Sequence, residues 1–368
     1  MFGDFYRGKT VLVTGHTGFK GSWLAIWLTT LGAKVVGYAL EPPSEPSNFV
    51  ASRLAERITH VHGDVRDHRK VEETLGKYQP DVVFHLAAQA LVRLSYAEPR
   101  QTFEVNVMGT VNLLEAARRA GSVTAFVSIT SDKCYRNLNW PWGYRETDEL
   151  GGYDAYSASK ACAELAIGVY QDDRFQRSAP PVFELAVASV RAGNVIGGGD
   201  WALDRVVPDT VRALSDGRDV VIRNPDATRP WQHVLEPLSG YLWLGSQLSK
   251  DRNLRTSWNF GPRSVRAVTV EQVVRRILAS WPAPAERLRI ERDSSHRESL
   301  LLQLDCSKAH HYLGWHAAWE IDETLAAIVA WYRRYYERPE ADMFDFTARQ
   351  IEEYAESARK QELAWARR

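Results

Sequence analysis

Cysteine is scarce in this chain: Cys134, Cys162 and Cys306 are the only three among 368 residues, an odd number at wide spacings. Such a set argues against a disulfide framework or a cysteine zinc site and fits reduced thiols. Charge of one sign is lacking too. Lys and Arg number 46, as do Asp and Glu, so there is no electrostatic footprint for nucleic acid or an anionic membrane surface. Also missing are a long uninterrupted apolar run, a basic-then-apolar N-terminus, an internal repeat, a low-complexity tract and a visible metal-ligand cluster. These absences lead to the expectation of a cytoplasmic protein with no metal and with neither nucleic acid nor membrane as partner. The hydrophobic share, 45%, is enough for a large core in one or two domains.

The apolar stretch Thr10 to Thr14 runs directly into Gly15, Gly18 and Gly21 and then into Ser22-Trp23-Leu24-Ala25-Ile26-Trp27-Leu28. Strand, glycine turn and helix, in that order, bring a pyrophosphate onto a helix N-terminus. Gly15 permits the tight turn, Gly18 a close backbone approach, and Gly21 the packing of helix on strand. His16 and Lys20 are unusual there, and each either touches phosphate or points into water. A second strand, Lys34 to Leu40, should end at an adenosine ribose. It carries neither the acidic residue common in NAD sites nor the arginine common in NADP sites. Glu41 comes late and no basic residue follows before Arg53, which favours NAD. Asp64, in H-G-D-V, is placed either to bond the adenine amino group or to shape a turn.

Alternation continues through Val82 to Leu86, the helical Val107 to Ala120 and the strand Thr124 to Thr130. The expected fold is α/β: a Rossmann-type, doubly wound parallel sheet with a smaller, mixed C-terminal substrate lobe. Residues 1–190 form the cofactor domain with the catalytic groups. Residues 191–346, broken by Gly197-Gly198-Gly199, Pro208, Pro225, Pro230 and Pro262, form mainly the substrate lobe, interleaved with the sheet. Residues 347–368 read as a charged helical tail, solvated or touching a second subunit.

Ser131-Asp132-Lys133 falls at the carboxyl end of a strand, where open α/β sheets keep their ligands. Tyr156 and Lys160 leave one face of a helix, Tyr156 to Gln171, one turn apart. A tyrosine titrates near ~10, too high for a base at neutral pH. An adjacent ammonium and a positively charged nicotinamide favour the phenolate and bring it toward the useful range. The alternative for this pair is a solvated helix face. Thirteen tryptophans are present, with Trp140, Trp142, Trp201 and Trp231 in loops near the expected cleft; stacking on a ligand and core packing both remain open for them.

Through T-G-H-T-G-F-K-G, H-L-A-A-Q, Tyr156-x-x-x-Lys160 and R-A-G-N-V-I-G-G-G-D-W the chain resembles, over nearly its whole length, the extended short-chain dehydrogenase/reductase family. S-D-K-C-Y, W-G-Y-R-E, G-G-Y-D-A-Y-S and L-D-C-S-K-A are most similar to its nucleotide-sugar branch of CDP-hexose dehydratases. The dTDP-sugar relatives carry Thr-Asp-Glu where this chain has Ser131-Asp132-Lys133.

The resemblance implies an NAD-dependent hydro-lyase that oxidises carbon 4 of CDP-glucose, eliminates water across carbons 5 and 6, and returns the hydride to carbon 6. It opens a route to dideoxyhexoses. Tyr156 and Lys160 would be catalytic with Ser131, Asp132 as the acid, and Lys133 as carbon-5 base, enolate stabiliser or simple ion-pair partner of Asp132. The cofactor would rest on Gly15, His16, Thr17, Gly18, Phe19, Lys20, Gly21, Asp64, Val65, Leu86, Ala87, Ala88, Gln89 and Asn106. The substrate would meet Gln89, Ser131, Asn194, Arg205, Arg229 and Arg297. A homodimer built on the Tyr156 helix and the Val107 to Ala120 helix is implied as well. A 4-epimerase, a dehydratase of another nucleotide hexose and a non-catalytic NAD-binding sensor are the competing expectations.

Overall fold

The computed structural model describes residues 1–178, 184–263, 268–282, 287–291, 301–338 and 340–367. Six strands come from residues 10–192: β1 (Thr10–Thr14), β2 (Lys34–Ala39), β3 (Thr59–His62), β4 (Val82–His85), β5 (Ala125–Ile129) and β6 (Ala186–Ala192). With Ser257–Phe260 at one edge they form a seven-stranded sheet in the order Ser257–Phe260, β6, β5, β4, β1, β2, β3. Every pairing is parallel, with Val11 opposite Val35 on one side of β1 and Val82 on the other. β1, β4, β5 and β6 are buried almost throughout, as a parallel sheet covered on both faces requires. This is the Rossmann-type fold expected. The strand order reverses between β1 and β4, which opens a crevice at their carboxyl ends.

The boundary expected at residue 190 falls inside β6, and the edge strand Ser257–Phe260 comes from the later half. That half also holds short strand pairs: Val195–Ile196 with Gln232–His233, Thr228–Arg229 with Val268–Thr269, and Val220–Ile222 with Leu288–Ile290.

The tail departs from the expectation of a solvated or subunit-contacting appendage. The helix Phe344–Lys360 buries Ile351, Tyr354, Ala355 and Ala358 in the main core. Beyond it, Trp365 stacks on Tyr354 at 5.4 Å and on Phe2 at 5.6 Å. Charged residues are as many as apolar ones in this segment, but the apolar residues recur at helical spacing and make one continuous stripe. The stripe closes on α1 (Phe19–Thr30), whose Trp23, Leu24, Ala25, Ile26, Trp27 and Leu28 are all fully buried. Among the described residues no helix is long and apolar enough to cross a membrane.

Candidate active site

β1 ends at Thr14, and Gly15 turns the chain at φ +72°. A Cβ on Gly15 would come within 2.8 Å of the Ala87 nitrogen, and one on Gly21 within 2.2 Å of the Gly15 oxygen. On Gly18 it would meet only that oxygen, at 3.4 Å. The bend is therefore closed on its inner side and open at Gly18, the residue that caps α1. Shape and helix polarity together fit a pyrophosphate.

Thr14 secures the opposite wall. Its hydroxyl accepts the Leu86 and Ala87 N–H groups, each at 3.1 Å, and lies 2.7 Å from His85 Nδ1. His85 also reaches the Thr110 hydroxyl at 3.1 Å, and burial pushes its pKa down to about 3, so it is a neutral strut. Leu86, Ala87 and Ala88 remain half-buried along the cleft.

His16 meets neither expectation for it. Its ring is buried, its Nε2 lies 2.7 Å from His60 Nδ1, and burial followed by His60 lowers its pKa to about 3. A neutral ring under the turn is no phosphate cation. Thr17 donates to the Leu40 carbonyl at 3.0 Å. Lys20 lies within the fields of Asp132, Asp200 and Arg205; burial and then Arg205 lower its pKa to about 8. Asp64 is clasped by Arg66, which gives Nε at 2.9 Å and Nη2 at 2.6 Å to one oxygen and its backbone N–H at 2.9 Å to the other. The turn-shaping reading of Asp64 is thus realised, and any adenine contact shares the carboxylate with Arg66. Val65 is buried against Gly109.

Gln89 does not extend to a sugar or a nicotinamide. Its Oε1 accepts the Leu91 N–H at 2.6 Å, and its Nε2 donates to the Leu91 carbonyl at 3.1 Å and Thr102 Oγ1 at 3.0 Å. The amide is satisfied within its own loop. Asn106 bonds both backbone groups of Gln89 and donates to Ser159 Oγ at 2.8 Å, tying that loop to the catalytic helix.

Beyond β5, Ser131 caps the single turn Asp132–Cys134, accepting the Lys133 N–H at 3.2 Å and donating to Asp132 Oδ1 at 3.0 Å. Asp132 is buried, which raises its pKa against the pull of Lys133, Ser131 and Lys20. A Cβ on Gly193 would lie 3.1 Å from Asp132 Oδ2, so the glycine ahead of Asn194 makes room for the carboxyl. The Lys133 side chain is exposed.

The helix Ala155–Gln171 starts under Asp154, whose carboxylate accepts the Ser157 N–H at 2.9 Å. Tyr156 is 9% exposed, and Lys160 donates to the Ile129 carbonyl at 3.4 Å. Burial raises Tyr156 to about 12, opposed by the Ser131 hydroxyl. It lowers Lys160 to about 8, with Lys20 pushing the same way and Glu164 resisting. The expected lowering of the phenol is therefore not produced by the protein's own groups, because loss of water outweighs them.

Glu164 was missed in the sequence. It sits one turn beyond Lys160 on the same helix face, which was the available signal. Its carboxylate receives Thr130 Oγ1, Ser189 Oγ at 2.8 Å, Ser257 Oγ at 3.1 Å and Arg191 Nη2 at 2.6 Å. The two charged side chains are 3% and 1% exposed. This buried pair ties the catalytic helix to β6 and to the edge strand.

On the substrate side, Asn194 is half-buried beside Gly193, and Arg205 pairs with Asp200 at 2.9 Å. Arg229 is half-buried, its Nη1 donating to the Thr228 carbonyl at 2.8 Å. Arg297 lies outside the described residues. Trp201 and Trp231 are buried, whereas Trp142 is 59% exposed. Among the described residues no group of His, Cys, Asp or Glu is arranged to hold a metal.

Comparison with known proteins agrees with this geometry. A CDP-glucose 4,6-dehydratase from Salmonella typhimurium is 48% identical over 352 residues, 95% of this chain and 97% of its own. A UDP-glucose 4-epimerase from Rhizobium leguminosarum bv. trifolii is 26% identical over 89% of this chain and 98% of its own. Among solved structures, a double mutant of a dTDP-glucose 4,6-dehydratase from Streptomyces venezuelae, with NAD bound, superposes with a TM-score of 0.73 at 25% identity, covering 91% of this chain and 99% of the other. The family model described as GDP-mannose 4,6 dehydratase matches residues 12–328, from β1 through most of the second half, and the chain belongs to that family.

Proposed function

We propose that the protein converts CDP-D-glucose to CDP-4-dehydro-6-deoxy-D-glucose with NAD as its cofactor. NAD on the glycine turn would accept the carbon-4 hydride, return it at carbon 6, and bring a positive charge to the Tyr156 end of the cleft. Tyr156 takes the proton of the sugar 4-hydroxyl, with Ser131 bonded to the same oxygen. Lys160 holds the cationic side of that pair. The ketone so formed acidifies the carbon-5 proton. Asp132, whose burial favours the protonated form, gives its proton to the departing 6-hydroxyl. Lys133 stands next to it as the carbon-5 base or as the cation that steadies the enolate. Asn194, Arg205 and Arg229 are the candidates for the diphosphate.

The observation that carries this reading is the capped turn Ser131-Asp132-Lys133 at the end of β5, which adds a buried acid to the Tyr156 and Lys160 pair. The 48% identity to a CDP-glucose enzyme supports the nucleotide. Exposed Leu165 and Val169 on the catalytic helix, with Met108 and Phe103 nearby in sequence to its expected partner, support a homodimer through those helices. A cytoplasmic enzyme opening a route to the dideoxyhexoses of lipopolysaccharide O-antigen is the setting this activity fits. The epimerase reading draws on the 26% relative but gives Asp132 no task.

The test is incubation with NAD and, separately, CDP-, dTDP-, UDP- and GDP-glucose, with products read by mass spectrometry. Loss of water from the CDP sugar alone is the expected result. Loss from a different sugar would move the substrate, and a mass-neutral change to the galactose isomer would replace dehydratase by epimerase.

A further inference from the structure

Arg191 holds more than Glu164. Its Nη2 reaches that carboxylate on the catalytic helix, while its Nη1 donates at 2.7 Å to the hydroxyl of Tyr135. The guanidinium also lies 4.8 Å from the centre of the Tyr135 ring, a cation–π contact added to the hydrogen bond. Tyr135 closes the turn Asp132–Cys134, its N–H donating to the Asp132 carbonyl at 3.3 Å. Its hydroxyl donates to Asn259 Oδ1 at 2.8 Å, and Asn259 stands opposite Arg191 where the edge strand pairs with β6. Tyr135, Arg191, Glu164 and Asn259 are all buried. Burial pushes the Tyr135 phenol well above its ordinary pKa, so it keeps its proton and donates to Asn259 while accepting from Arg191.

The loop that follows the turn is anchored at the same point. Gly151 donates to the Cys134 carbonyl at 2.8 Å. Asn259 in turn holds that loop, its Nδ2 donating to the Tyr144 carbonyl and its N–H to Glu146 Oε1, each at 2.8 Å. Side-chain and backbone supports of the turn therefore meet at Asn259 and Arg191. Phenylalanine at position 135 would keep the ring but leave Asn259 Oδ1 without this donor, and Arg191 Nη1 with only the Glu146 carbonyl at 3.2 Å.

We propose that Tyr135 is a positioning residue whose hydroxyl, through Arg191 and Glu164, fixes the placement of Asp132 relative to Tyr156 and Lys160. Oxidation at carbon 4 and elimination at carbon 6 act on one bound sugar, so the acid and the phenol must keep a set separation. An error of about 1 Å in such a placement costs on the order of 10²-fold in rate. Tyr135 itself transfers no proton. This role rests on the acid assignment of Asp132 made above.

The experiment is a single turnover of CDP-glucose by the NAD-loaded enzyme, with NADH followed by its near-ultraviolet absorbance and quenched samples read by mass spectrometry. Oxidation alone leaves a sugar two hydrogens lighter, and elimination with hydride return leaves one lighter by a water. Tyr135→Phe is expected to form NADH at the unmodified rate and to eliminate about tenfold more slowly, so that NADH and the keto sugar persist. The ratio of the two rates does not depend on the fraction folded, so lost stability cannot imitate this result. Tyr144→Phe is the control: it removes a buried hydroxyl from the ring stacked on Tyr135 at 5.3 Å, but that hydroxyl serves only Asn137 and Leu138. Its rate ratio should be that of the unmodified enzyme. Equal slowing of both steps in Tyr135→Phe, no slowing of either, or the same selective slowing in Tyr144→Phe overturns the role of Tyr135. Asp132→Asn should hold NADH longer still. If it does while Tyr135→Phe does not, the acid stands and only the inference falls. If Asp132→Asn eliminates at the unmodified rate, or the unmodified enzyme releases no water, the reading beneath the inference falls and takes it along.

Discussion

Removing Glu164 should unfold a large part of the stability of this protein while leaving the glycine turn untouched. Its carboxylate gathers four donors, three of them hydroxyls and one the Arg191 guanidinium, at 1% exposure. Burial alone would raise its pKa, yet Arg191 and the hydroxyl donors hold it below the usual 4.5. A carboxylate lowered on folding contributes stability that is present above the unfolded pKa and lost as pH falls. In Glu164→Ala the guanidinium is left charged and unpaired, a loss of about 3–5 kcal/mol, and the orphaned hydroxyls add about 1 kcal/mol more. Against a total of roughly 5–15 kcal/mol for a typical domain, that is a third or more. Urea denaturation followed by tryptophan fluorescence should show a much lower midpoint with a similar slope. The double variant Glu164→Leu, Arg191→Met should recover most of the loss, because an apolar pair removes the stranded charge. A loss below about 1 kcal/mol in the single variant would mean that water reaches the pair, and the reasoning from its burial would be wrong.

Tyr156→Phe should lower turnover by about 10²–10⁴-fold and leave NAD affinity nearly unchanged by calorimetry; normal turnover would remove Tyr156 from the mechanism. Gly15→Ala places a side chain at φ +72° and 2.8 Å from the Ala87 nitrogen. It should weaken NAD binding by at least about 1 kcal/mol, and an unaltered isotherm would contradict the turn geometry. Glu236 is raised from 4.5 to about 7 by burial, against its bonds from Tyr354 and the Ala318 and Trp319 N–H groups. A carboxyl raised on folding gives stability that is complete below about 4.5 and lost as pH climbs through about 7. Relative to Glu236→Gln, the unmodified protein should therefore lose on the order of 3 kcal/mol between pH 4.5 and 8; melting curves that shift in parallel would refute it.

The cofactor half was legible because its signals are local. A β-rich run, three glycines and an apolar helix are contiguous, and the spacing of Tyr156 and Lys160 sets one helix face. The strands Thr124 to Thr130 and Lys34 to Leu40 were each placed within a residue of their observed ends. What was not legible depends on contacts between distant segments. His16 was open between phosphate and water until β3 brought His60 against it. Gln89 looked available until Thr102 and Leu91 absorbed its amide. Glu164 had no visible purpose before Arg191 and Ser257 came beside it from two other strands. The tail read as solvated because charged residues are as many as apolar ones along it, and only the helical period shows that the latter share one side.

The closing of the tail on α1 has a consequence for the order of assembly. α1 carries the cofactor turn at its start, and its Trp27 finds its last neighbours, Tyr354 and Trp365, within the final 15 residues of the sequence. A growing chain holds the whole glycine turn long before it holds the wall behind it. The dinucleotide cradle therefore gains its backing only once the segment after Met343 has been made and packed, and a chain stopped at Met343 should bind NAD poorly in equilibrium dialysis although every residue of the turn is present.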